Sequence, residues 1–277
     1  MIMKKSVSFS LMVLLCTVLF FSCEKKGDPP VLPSDKTMTI DFSNFAAKKS
    51  LVFSNETKGL YDVDNSNWAK AATVAGVWNT ILLFKLVIPV MAFKKAVDNQ
   101  PTYLENKKWE WKYSVEVVGA TYKARLTGQI RDNDIKWEMY ITKEGAGGFA
   151  EFLWFEGTTA LDGKSGQWKM NESQLSHVPM LQIDWTITGT EVGSIKYAYI
   201  KSGDSFKDSY IQYGLTSNTL NAFYTVHFYE AILLKKFVDV NIEWNTTGHN
   251  GRIKSVDLFQ DSNWHCWDGN GNNTTCN

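Results

Sequence analysis

Trp109-Glu110-Trp111-Lys112-Tyr113-Ser114-Val115-Glu116-Val117 alternates apolar and polar side chains over nine residues, and Lys136-Trp137-Glu138-Met139-Tyr140-Ile141-Thr142 repeats the device. Successive side chains of a strand point to opposite faces, so strict alternation means one buried and one wetted face, the mark of antiparallel strands. Similar runs follow at about 122–131, 149–158, 166–170, 180–188, 194–201, 209–213, 223–230, 237–244 and 252–259. The links between them carry turn chemistry, as in Arg131-Asp132-Asn133-Asp134, Gly145-Ala146-Gly147-Gly148, Asp162-Gly163 and His249-Asn250-Gly251. The expectation is a mainly β fold: an antiparallel meander of about ten strands, closed as a lipocalin-like barrel or folded as a two-sheet sandwich.

Upstream of the strands, residues 66–99 read SNWAKAATVAGVWNTILLFKLVIPVMAFKKAVDN, rich in Ala and Leu and without period-two alternation. This predicts a helix capped by Ser66 or Asn67 and kinked or split at Pro89. Its section from Ala71 to Phe93 is apolar nearly all round, so protein or lipid must enclose it. Asn79, Thr80, Lys85 and Pro89 argue against a membrane span, and the expected place is on or in the β framework.

The chain starts MIMKKSVSFSLMVLLCTVLFFSC, two lysines and a short apolar run ending in Ser22-Cys23. A run this short behind positive charge predicts a signal peptide over residues 1–22. Residues 23–36 follow as a Pro-rich, charged tether, expected to hold the body off a membrane, and residues 37–277 as a single β-rich domain with its strands at about 109–268. The 277 residues carry 29 basic and 29 acidic side chains, and at 44% apolar against 21% charged the body is too apolar to be disordered. Zero net charge without a Lys/Arg run excludes a nucleic-acid partner on electrostatic grounds.

Phe20-Phe21-Ser22-Cys23 resembles the lipobox of bacterial lipoproteins, which implies that Cys23 is acylated and becomes the first mature residue. With the Pro-rich tether, the opening Thr39-Ile40-Asp41-Phe42-Ser43-Asn44-Phe45 and the phrase Leu161-Asp162-Gly163-Lys164-Ser165-Gly166-Gln167-Trp168-Lys169-Met170, the chain resembles uncharacterised Bacteroidetes lipoproteins with antiparallel β bodies. The resemblance implies a cell-envelope location, with a membrane as partner through the lipid anchor. Glu24 after the cysteine allows the outer membrane by likeness to the enterobacterial sorting rule, and the leaflet stays open. No catalytic residue or cofactor comes with the likeness.

Besides Cys23, the mature chain holds Cys266 and Cys276, expected to pair as a disulfide in an oxidising envelope compartment. Asp268, Asn270 and Asn272 repeat the opening of a calcium loop, but Asn273 stands where Gly is needed and no closing Glu follows, so no metal site is expected. His265 and His249 lack the paired spacing of zinc ligands.

Trp109, Trp111, Trp137, Trp154 and Trp185, all in strand runs, are the candidate ligand contacts, able to stack on sugars or bury an apolar molecule, with core filling as the plainer role. His227 and Asp184 fall on the wet face by alternation. Glu138, Glu151, Glu156, Asp184 and Glu243 are the available carboxylates for glycosidase chemistry, and no G-x-S-x-G, H-E-x-x-H or phosphate loop accompanies them. Three readings follow: a non-enzymatic binder of a small apolar or amphipathic ligand, a surface glycan-binding module, and a structural subunit of an envelope complex.

Overall fold

The computed structural model describes residues 26–45, 66–231 and 233–276. The signal segment and Cys23 lie outside these residues. One antiparallel sheet dominates, with strands β1 (Thr102–Tyr103), β2 (Lys108–Val117), β3 (Ala120–Ile130), β4 (Asp134–Lys143), β5 (Phe149–Ala160), β6 (Ser165–Ser173) and β7 (Ser176–Thr188) in its first half. The second half comprises β8 (Glu191–Tyr199), β9 (Tyr210–Leu215), β10 (Ala222–Glu230), β11 (Lys236–Trp244), β12 (Gly251–Lys254), β13 (His265–Trp267) and β14 (Asn273–Thr274). Each strand pairs with its neighbours in sequence, giving a 14-stranded meander.

Two expectations need correction. Ten strands become fourteen, because β1, β13 and β14 are too short to show as alternation, and the run 252–259 breaks after Lys254 into a helical turn, α2 (Val256–Phe259). Nor is the sheet split into a sandwich or shown closed as a barrel: all strands belong to one sheet, and no pairing joins β1 to β14 among the described residues. Both edges are two-residue strands, which limits the row of unpaired backbone groups they present.

The helix α1 (Asn67–Ala96) is continuous over 30 residues, with Ser66 as N-cap accepting from the Ala69 amide. Pro89 sits inside it without splitting it; the carbonyl that loses its donor is that of Lys85, an exposed residue open to water. α1 packs on β2 and β3 at one end of the sheet and on β12 and β13 at the other. Asn67 donates its side-chain amide to the Cys266 carbonyl at 2.9 Å, and Tyr113 donates its hydroxyl to the Ala92 carbonyl at 2.6 Å, so each half of the helix is pinned to a different end.

The stretch expected to be a free tether is partly docked. Pro30 is buried where its ring and Trp137 leave no room for a side chain on Gly128, and Thr37 and Met38, the first residues beyond the 23–36 stretch, are buried as well. Trp168 donates its indole N–H to the Thr37 hydroxyl. An apolar interior over the sheet recruits the chain that crosses it, and proline loses little entropy on being fixed there.

Candidate functional site

Four of the five candidate tryptophans, Trp109, Trp111, Trp137 and Trp185, are buried side chains of the core. Trp111 and Trp137 lie 6.0 Å apart between ring centroids, and Trp137 donates to Thr159 Oγ1 at 3.0 Å. Their packing role follows from alternation, since Trp109 and Trp111 share one face with Val115 and Val117. Trp154 is half-buried for a different reason. The register between β4 and β5 jumps from Met139 opposite Phe155 to Tyr140 opposite Leu153, so Trp154 is the extra residue of a bulge and packs near Phe149 and Phe152. The five are thus spread over β2, β4, β5 and β7 and line no common site.

Four of the five candidate carboxylates, Glu138, Glu151, Asp184 and Glu243, are matched with polar or basic partners. Glu138 accepts from Lys136 at 2.8 Å and Lys108 at 3.3 Å; burial alone would raise its pKa, but the two ammonium groups outweigh it and hold the carboxyl below its ordinary value. Glu156 stands opposite Glu138 in register. Arg125 holds Glu151 through two hydrogen bonds at 2.9 and 2.7 Å, which lowers the pKa of that carboxyl against a smaller effect of burial. Asp184 accepts from Gln167 and Gln182. His227 bonds Asp239 at 2.7 Å and stacks on Phe237.

A cleft of about 740 Å³ opens elsewhere, where the β9–β10 connection meets β11, β12 and β13. Its lining sets the polar groups of Asn218, Thr219, Glu243, Asn250, Arg252 and Asp268 beside apolar surface. Glu243 and Arg252 are cross-strand neighbours, and both Nε and an outer nitrogen of the guanidinium bond Glu243 Oε2, at 2.8 and 2.6 Å. Among the described residues no partner engages Glu243 Oε1. The guanidinium also lies 4.3 Å from the Trp264 ring centroid, so it is held between a carboxylate and an aromatic face. A fixed, planar donor beside a carboxylate suits vicinal hydroxyls, carboxylates or amides.

The walls are built locally. Cys266 and Cys276 form a disulfide, as expected, at a sequence separation of 10. Asp268, from the calcium-like stretch, accepts backbone N–H bonds from Asn270 and Asn272, both at 2.9 Å. Its pKa is lowered, first by the Asn272 amide, so this loop uses its carboxylate to shape a turn. Trp267 donates to the His249 carbonyl at 2.9 Å, and the Asn245 side chain donates to the Thr219 carbonyl at 2.7 Å, tying the two rims of the cleft to the β11–β12 turn. Gly251 lies where a Cβ would clash with the Glu243 carbonyl and the Trp267 ring, so only glycine lets β12 pass between them.

Arg252, Asn218 and Asn250 carried no signal in the sequence, because nothing in their local pattern distinguishes them from other wetted strand and turn residues. Glu243 as a carboxylate, the calcium-like stretch at Asp268 and the cysteine pair each pointed to this end of the sheet, but no pattern joined them. Set against known protein families, curated proteins and solved structures, the chain finds no match.

Proposed function

We propose that this protein is a lipid-anchored cell-envelope protein, held by acylated Cys23, whose β body binds a saccharide in the cleft between the β9–β10 connection and β11–β13. The observation that carries this reading is the Glu243–Arg252 pair, presented in an open cleft beside Asn218, Thr219, Asn250 and Asp268. Sugar hydroxyls are recognised by fixed charged groups with hydrogen-bonding capacity to spare, and Glu243 and Arg252 are held here by strands rather than by adaptable loops. Titration of the unacylated chain with a panel of envelope and host oligosaccharides, followed by tryptophan fluorescence and calorimetry, tests it. Binding that falls at least tenfold in Arg252→Ala and survives Arg125→Ala supports the cleft. Flat titrations across the panel remove it.

A second reading, an amphipathic ligand held over the inner face of the sheet, draws on a separate observation. Trp109 Nε1, Trp185 Nε1, Tyr197 Oη and Trp244 Nε1 are buried polar atoms without a hydrogen-bond partner among the described residues, which is costly in a finished core. A native mass spectrum beside a denatured one separates the two readings. Mass retained only in the native spectrum supports the interior ligand, and a clean chain mass leaves the cleft.

A further inference from the structure

The buried side of α1 is explained by the sheet; its other side is not. Val77, Ile81, Leu83, Phe84 and Met91 are exposed, Phe84 at 78%, and Val87, Ile88 and Val90 are only partly covered. From Val77 to Met91 this face runs for about 21 Å at the rise of an α-helix. Contiguous exposed apolar surface of this extent marks a contact with something apolar. The same helix contains no Asp or Glu, while Lys85 sits within the exposed face and Lys94 and Lys95 close its C-terminal end. Lys94 and Lys95 lie near Asp35 and Asp98, and Lys85 acts on Glu172 at longer range.

Chain geometry adds where a membrane must be. Lys26 lies against the Tyr103 ring of β1, at 5.9 Å from its centroid, and Cys23 is three residues upstream, a reach of about 10 Å. β1 pairs with β2, the strand on which α1 makes its main contact, and Asp35 lies against Lys94 at the end of the helix. The short leash from the anchor therefore leaves the body at the edge that α1 covers.

We propose that the outward face of α1 docks on the bilayer surface, Ile81 and Phe84 entering the acyl boundary and Lys85 meeting anionic headgroups, so that the body is held sideways as well as by its acyl chains. The inference rests on the lipid-anchor reading above for the position of the membrane. A second copy of the chain fits less well, because a twofold contact centred on this face places Lys85 against its own mate in an apolar seam. Lipid headgroups compensate that charge, and an apolar helix face flanked by lysines is the form that interfacial helices take.

The test uses the chain from Cys23 to Asn277 made without acylation, cosedimented with phosphatidylethanolamine vesicles with and without phosphatidylglycerol. Wild-type chain is expected to bind the vesicles containing phosphatidylglycerol, the double variant Ile81→Asp with Phe84→Asp to lose at least tenfold in affinity at an unchanged Tm, and Lys85→Ala to lose about fivefold. Equal binding by the double variant overturns the proposal. So does a wild-type chain that ignores vesicles, whether it runs as a monomer or as a dimer that the double variant splits, the latter assigning the face to a second copy. Palmitate labelling of the full chain, abolished in Cys23→Ala, tests the anchor by itself, so its failure is distinct from failure of the helix to bind.

Discussion

Trp168 on β6 donates its indole N–H to the hydroxyl of Thr37 at 3.2 Å, across 131 positions of sequence. Thr37 is fully buried and donates in turn to the Ser34 carbonyl at 2.7 Å. One hydroxyl thus fastens the N-terminal stretch to the largest side chains of the core, Trp168 among them packed at 5.4 Å from Phe93 and 5.6 Å from Phe155. Thr37→Val keeps the volume and removes both bonds. The expected loss is about 1–3 kcal/mol of unfolding free energy in a urea titration, since a buried indole N–H is left without a partner.

The β2–β3 hairpin turns through Val118 at φ 50° and Gly119 at φ 72°, a two-residue turn that needs positive φ at both positions. Val118 is 92% exposed, so no packing offsets its unfavourable backbone. Val118→Asn is expected to raise stability by about 0.5–1 kcal/mol, read as a higher urea midpoint at unchanged m.

Gly157 lies where an added Cβ would strike the Gln167 carbonyl and the Trp168 ring. Gly157→Ala forces either the β5–β6 ladder or the indole to move. The expected cost is about 1–3 kcal/mol, with a change in the near-ultraviolet circular dichroism of the tryptophans as the accompanying signal.

Glu138 provides a pH dependence with a definite sign. Burial pushes its pKa up, but the Lys136 hydrogen bond and the Lys108 charge prevail, so the folded value lies below the ordinary 4.5. A carboxyl with a depressed folded pKa contributes stability above its unfolded value and loses it as pH falls through the folded one. Wild-type protein is therefore expected to lose stability below about pH 4.5, and Glu138→Gln to lose less across that window. Parallel denaturation curves for the two proteins at every pH would contradict the assignment.

Reduction of Cys266–Cys276 opens a loop closed by a separation of ten residues. Chain entropy alone puts the loss near 2.5–3 kcal/mol. Because Asn67 bonds both the Cys266 carbonyl and the Asn273 side chain, the start of α1 is expected to lose hydrogen-exchange protection together with β13 and β14.

Alternation in residues 109–117 and 136–142 was enough to read antiparallel strands, the turns between them and the inward set that became the core. Ser66 as cap and the course of α1 were also legible, because capping and composition act within a few residues. Three features were not. Trp154 looked like a regular strand residue, and only the pairing of β4 with β5 made it a bulge. Pro30 looked like part of a spacer, and only the proximity of Gly128 and Trp137 gave it a place to pack. Arg252 looked like any wetted residue until β11 and the segment leading into β13 put Glu243 and Trp264 beside it.

By itself the sequence determined the β class, the sequential antiparallel order, the apolar helix and the cysteine pair, all set by periodicity and short-range chemistry. Tertiary structure alone decided that fourteen strands form one sheet without pairing of its first and last members, and that α1 is pinned to both ends of that sheet while leaving an apolar face outside. It also decided that four of the five candidate tryptophans are core, while Glu243 pairs with Arg252 in a cleft. These are relations between residues tens to hundreds of positions apart, and no local pattern encodes which wetted or apolar face will meet which partner once the chain has closed on itself.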